Sequence, residues 1–207
     1  MLVLADIGVL PQEQQDSVSQ WVDRGGVLLR FAGPRLAGAQ DSLMPVALRE
    51  GGRSLGSALS WETPQAMQAF PEKSPFAGLM TDDAVRINRQ VLAEPDADLP
   101  DRVWASLADG TPLVTARREG KGLIVLFHVT ANADWSNLPL SGLFVEMLRR
   151  VLDIAPAAGG GAAVATAQAD AQAFTPWRAL DGFGELNDPL PDVQPIPAAA
   201  IDKAKAS

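Results

Sequence analysis

Residues 2–31 read LVLAD (2–6), PQEQQDSVSQWVDRGG (11–26) and VLLRF (27–31): a strand, a helix and a second strand in immediate succession. A passage this short between two strands has one economical solution, two parallel neighbours with the helix laid across them. The helix is marked along its length. Pro11 suits the first helical position, where its missing N–H loses no partner. Glu13 and Asp16 bring negative charge to the early turns. Val18, Trp21 and Val22 form an apolar stripe at i, i+3 and i+4, and Gly25 and Gly26 close the helix. Val27 to Phe31 is then a largely apolar strand, as a sheet covered on both faces requires. The expected architecture is α/β, an open and mostly parallel sheet flanked by helices.

Working outward, residues 33–52 are irregular and carry Pro34 and Pro45, which predicts a loop with a short helical turn. Arg53 to Trp61 alternates, with Leu55, Leu59 and Trp61 on one face, and reads as a strand. Pro64, Pro71 and Pro75 punctuate the next stretch. Ala84 to Leu92 sets Val85, Ile87 and Val91 against Arg86, Asn88 and Gln90, a strand with one wet face. Val103 to Leu107 and Leu113 to Arg117 flank an Asp109-Gly110 turn. The turn REGKG (118–122), read as solvated, leads into the most apolar strand, Leu123 to Val129. The later sheet is therefore expected to hold an antiparallel meander beside a buried strand. A second helix comes after the loop 130–141, with Phe144, Met147, Leu148, Val151 and Leu152 as its stripe.

The domain is expected to span residues 1–154. Residues 155–207 are rich in Ala, Gly, Gln and Pro and are read as a partly disordered linker and tail. Within that tail Phe174, Trp177, Leu180, Phe183 and Leu186 recur about every three residues. The cost of leaving Trp and Phe in water favours docking on the domain over docking on a missing partner.

Composition removes several classes of function. The 207 residues include no cysteine and one histidine, His128. That excludes disulfides, a thiolate nucleophile, Cys-ligated metals and helical HExxH zinc sites. A formal charge of −8 argues against nucleic acid or an anionic membrane surface as the main partner. No run approaches the roughly 20 apolar residues that cross a bilayer. The amino terminus lacks the basic flank and apolar core of a signal peptide, and it begins inside a strand, as a piece of a longer protein would.

In a sheet of this kind ligands gather beyond the carboxyl ends of the parallel strands. Asp6 and Gly8, Gly33 and Arg35, and His128 with the loop 130–137 belong there. Asp6, His128 and Asp134 offer an acid–base pair with an orienting carboxylate. Ser136 or Ser141 would complete a Ser–His–Asp set, although neither lies in a GxSxG elbow. The plainer reading is that His128 completes its hydrogen bonds at a strand end while Asp6 and Asp134 cap turns. Trp135 either walls a pocket or seals the top of the sheet. Gly33-Pro34-Arg35 presents an arginine, without a GxGxxG or GxxxxGK[ST] phrase for a phosphate. The loop acids Asp82, Asp83, Asp96, Asp98 and Asp101 lack the spacing of an EF-hand. No metal or cofactor is expected.

Two phrases, WxxxGGxLL at 21–29 and GxGxxxxFHVTxxxxWSNLPLSG at 120–142, carry a resemblance over about residues 1–154. The chain resembles the central domain of bacterial membrane-anchored proteins of unknown function that begin with an aerotolerance-regulator-type double-transmembrane segment. The phrase FTPWRALDGFGEL (174–186) is similar to the connector those proteins carry. The resemblance implies a class I glutamine amidotransferase-like, flavodoxin-like fold. It also implies a parent anchored in the inner membrane with this domain on the periplasmic side, so that membrane contact comes only through flanking segments. Glutamine hydrolysis needs a cysteine nucleophile, and none is present. The expectation is a non-catalytic module for scaffolding, protein interaction or ligand sensing, with an unknown protein partner or small ligand. Its candidate binding residues are Asp6, Arg35, His128, Asp134 and Trp135. The alternative is a hydrolase using His128 with Asp6 or Asp134.

Overall fold

A computed structural model describes residues 1–38, 41–49 and 58–154, with four short strands further on. The chain divides into two compact units, Met1–Gly159 and Gly160–Ser207. In the second, Ala173–Phe174 pairs antiparallel with Ile196–Pro197, and Ala179–Leu180 with Leu186–Asn187. The expectations of disorder and of a docked aromatic stripe fall largely outside the described residues.

In the first unit, β1 (Leu2–Ala5) and β2 (Val27–Phe31) are followed by β3 (Ala58–Gln65) and β4 (Ile87–Val91), which pair with each other apart from the main sheet. The short helix α2 (Leu99–Arg102) then leads into β5 (Val103–Ser106), β6 (Pro112–Glu119) and β7 (Gly122–Phe127). The main sheet has the order β1-β2-β7-β6-β5. β1, β2 and β7 run parallel, and β7, β6 and β5 form an antiparallel meander. β5 thus points the same way as the three parallel strands, and only β6 is reversed. The α/β class read from residues 2–31 is the class observed.

Helix α1 (Gln12–Asp23) crosses from β1 to β2. Pro11 stands one residue earlier than expected, at the helix cap, where its carbonyl accepts the Gln14 and Gln15 amides at 2.9 and 3.0 Å. Gly25 adopts φ 115°, which glycine takes without steric cost, and the Trp21 ring lies where a Gly26 Cβ would stand. The WxxxGG phrase is therefore an indole folded over a bare backbone. Val22 packs with Leu28, Leu43 and Ile124 on this face of the sheet.

Helix α3 (Gly142–Ile154) covers the opposite face, where Met147 and Val151 join Leu29, Phe31, Val125 and Phe127 in the main core. Each such burial contributes about 1.5–3 kcal/mol. Its stripe is rotated from the expected one, with Leu143 buried and Leu152 50% exposed. No helix among the described residues is long and apolar enough to cross a membrane.

Three further expectations are corrected. Strand β3 runs through Pro64, because its pairing with β4 shifts register between Ser60 and Gln65 and asks no N–H of the proline. Residues 53–57 of the expected strand lie outside the described residues. Gln90 is fully buried instead of lining a wet face, and its amide donates to Pro112 O at 3.3 Å. The turn REGKG is docked, not free. The Lys121 amide donates to Asp23 O at 2.9 Å, and a Cβ on Gly122 would stand 2.1 Å from Val22 O.

Candidate functional site

The carboxyl edge of β2 and β7, the expected place for a ligand, is closed by the chain itself. β4 lies along it. The Val91 amide donates to His128 O at 2.9 Å, and the Asn88 amide to Trp135 O at 2.8 Å. Ile87 pairs with Ser136. The Asn137 side chain continues this pairing as a backbone would, accepting the Arg86 amide at 2.6 Å and donating to Ala84 O at 2.8 Å.

His128 is 0% exposed. Its Nδ1 lies 2.8 Å from Val91 O and its Nε2 2.9 Å from Thr115 Oγ1. A carbonyl only accepts, so Nδ1 carries the proton and Nε2 accepts from the threonine hydroxyl. The His128 amide also donates to Leu113 O at 2.9 Å. One residue thereby ties the end of β7 to β4 and to the start of β6. Burial lowers its pKa from 6.5 to about 4, against a smaller raising effect of the bond to Val91. The imidazole is neutral at pH 7, shut off from solvent, and bonded to no carboxylate among the described residues.

Neither carboxylate named in the hydrolase alternative is bonded to His128 among the described residues. Asp6 does not reach His128. It adopts φ 48°, a left-handed conformation that a short polar side chain tolerates, and its Oδ1 accepts the Arg35 and Leu36 amides at 3.0 and 3.1 Å. A Cβ on Gly33 would stand 2.4 Å from the same carboxyl group. Asp6 therefore holds the turn that enters the 3-10 helix Leu36–Gly38, the short helical turn expected in this loop. Asp134 is exposed and bonded to Asn132, whose Nδ2 donates to Oδ2 at 2.8 Å. Ser136 is 0% exposed, with no hydrogen-bond partner on Oγ among the described residues. Ser141 caps α3, accepting the Phe144 amide at 3.2 Å. Among the described residues, no nucleophile, base and orienting acid converge.

Trp135 is 5% exposed and packs with Leu36, Met44, Val46, Val91 and Leu126, the Arg89 guanidinium standing 5.7 Å from its ring centroid. It seals the edge. Arg35 is exposed, and its guanidinium has no partner among the described residues. The five candidate residues thus lie along one edge, but only Asp6 and Arg35 bond to each other.

Sequence reasoning missed two features. One is Arg30, 0% exposed within VLLRF, whose guanidinium meets Asp41 at 2.5 Å, Leu43 O at 3.1 Å and Ile7 O at 3.3 Å. A charge inside an apolar strand was the available signal, since a buried arginine demands a partner. The other is a cavity of about 710 Å³ beside β5, the last strand of the main sheet. Its walls include Pro71, Lys73, Asp101, Trp104, Ser106 and Pro112. A second cavity of about 440 Å³ shares Lys73, Asp101 and Trp104 with it and adds Arg102, Arg117 and Arg118. Phe76 sets the Trp104 ring edge-on at 5.8 Å and 89°. These walls come from distant stretches of chain, so no local phrase announces them.

No family model and no curated protein matches this sequence. Among solved structures, the chain is similar to a cytoplasmic protein of Salmonella typhimurium, STM3548, with TM-score 0.59 and 14% identity over 74% of this chain and 70% of that one. A second, STM1381 of Salmonella typhimurium LT2, gives TM-score 0.53 and 14% identity over 72% and 66%. A β-galactosidase from Rahnella sp. R3 is matched over 73% of this chain and 22% of its own, with TM-score 0.46 and 15% identity. At such identities the Salmonella likenesses speak to fold alone.

Proposed function

We propose that this chain is a non-catalytic binding module, a class I amidotransferase-like scaffold that holds a ligand or a protein partner for a membrane-anchored bacterial assembly. The observation that carries this reading is the state of His128, the sole histidine of the chain, fully buried and paired on both nitrogens. A general base must reach the proton it removes, and this one faces Val91 and Thr115. The absence of cysteine removes the amidotransferase nucleophile. The cavity beside β5 supports binding, since about 710 Å³ lies within the range of small-molecule sites.

The test is turnover. The purified chain is expected to hydrolyse neither glutamine nor an aryl ester above the buffer rate. Hydrolysis above the buffer rate that is lost in His128→Asn, with the variant folded by circular dichroism, would overturn the reading.

A further inference from the structure

The two cavities around Trp104 differ in chemistry while sharing a wall. The larger is lined by the indole and by Pro71, Pro100 and Pro112, flat surfaces that favour a ring, together with Glu72, Lys73 and Asp101. The smaller gathers Lys73, Arg102, Arg117 and Arg118. Among those walls four cations stand against a single carboxylate, Asp101.

The four cations are not equally occupied. Arg117 meets Glu119 at 2.6 Å, and Arg102 stands 3.5 Å from Asp98 and 3.8 Å from Asp96. Lys73 and Arg118 are exposed and have no ion pair or side-chain hydrogen bond among the described residues. Two unpaired cations beside a cavity with an aromatic and proline wall form a two-part recognition surface. An apolar body gains by leaving water, and an anionic head gains two charge-assisted bonds.

Resting on the reading of the domain as a binding module, we infer that the Trp104 groove takes a soluble ligand with a flat ring and an anionic head, a phosphate or carboxylate. The ring lies against Trp104 and the prolines, and the head lies between Lys73 and Arg118. The ring sets orientation. The head sets affinity at low salt, because exposed charges are screened as ionic strength rises.

The probe is 1-naphthyl phosphate, compared with inorganic phosphate (the head alone) and 1-naphthol (the ring alone). Binding is read from the Trp104 indole resonance in nitrogen–proton spectra, assigned with Trp104→Phe. The phosphate ester is expected to shift that resonance saturably and at least about tenfold more tightly than either fragment, as two independent contacts should. Lys73→Glu combined with Arg118→Glu is expected to weaken it about tenfold or more without moving the unfolding midpoint, since both side chains are exposed. If 1-naphthol binds as tightly as the ester, or the double variant binds as tightly as the parent, the anionic head is refuted while the binding module stands. If none of the three probes moves the Trp104 resonance, the groove assignment is refuted. The underlying reading is refuted separately, by hydrolysis above the buffer rate that is lost in a folded His128→Asn variant.

Discussion

Lowering the pH from about 7 to about 5 charges the imidazole of His128 in the unfolded chain but leaves it neutral in the folded one. Its pKa is 6.5 when free and about 4 when buried behind Thr115 and Val91. Between those values the unfolded state binds the extra proton, so stability rises with pH there. The contribution is complete above pH 6.5 and is lost as pH falls toward 4. At about 1.4 kcal/mol for each pH unit, the full loss is about 3 kcal/mol, of which about 2 kcal/mol falls between pH 7 and 5. The assay is urea denaturation of the parent and of His128→Asn across this range. The asparagine does not titrate, so other groups cancel in the comparison. The variant is expected to be the less stable at pH 7, and its deficit is expected to shrink by about 2 kcal/mol at pH 5. Parallel pH profiles, or a deficit that grows on acidification, would refute the assignment of a neutral, structural imidazole.

Three further expectations rest on single contacts. Gly122→Ala places a Cβ 2.1 Å from Val22 O and is expected to lower stability by about 3 kcal/mol, whereas Gly142→Ala, with nothing within 4 Å, is expected to raise it by up to about 1 kcal/mol; thermal unfolding reads both. Asp41→Ala strands the buried Arg30 guanidinium and is expected to lower the urea midpoint by the equivalent of about 3–5 kcal/mol, with Arg30→Met restoring part of the loss in the double variant. Ser141→Ala removes the α3 cap and is expected to cost about 1 kcal/mol in the same assay, where no loss would deny the capping role.

The backbone of the fold was legible because its signals are local. The strand–helix–strand passage of residues 2–31, the Asp109-Gly110 turn and the helix after residue 141 each carry their own period and punctuation. The features that escaped depend on residues far apart in the chain. Gln90 looks solvent-facing in an alternating strand, yet β4 is laid along the edge of the main sheet, where Gln90 turns inward while Arg86 and Asn88 stay exposed. Leu152 fits the helical stripe by spacing alone, and the position of α3 on the sheet selects Leu143 instead. The candidate site was legible as a place, since Asp6, Arg35, His128 and Trp135 all gather at the carboxyl edge. Its chemistry stayed divided between a reactive and a hydrogen-bonded imidazole, because whether an imidazole faces water or a threonine is decided by which segment crosses above it. The phrase WSNLPLSG illustrates this. Its Trp seals, its Asn clamps β4, Leu138 enters the core and Ser141 caps a helix.

The seam between β2 and β7 joins strands that are neighbours in space, while the whole of residues 32–121 separates them along the chain. Contacts so distant are slow to find, because the entropy of closing a long loop comes before any gain. The β1–α1–β2 passage and the β5–β6–β7 meander are each assembled from nearby residues, so two half-domains are expected to form early and meet late. Pulse-labelled amide exchange during refolding would register that order as late protection of the Leu123 to Phe127 amides on the β2 side. His128, bonded to both the meander and β4, would then act as the latch that closes after the halves have met.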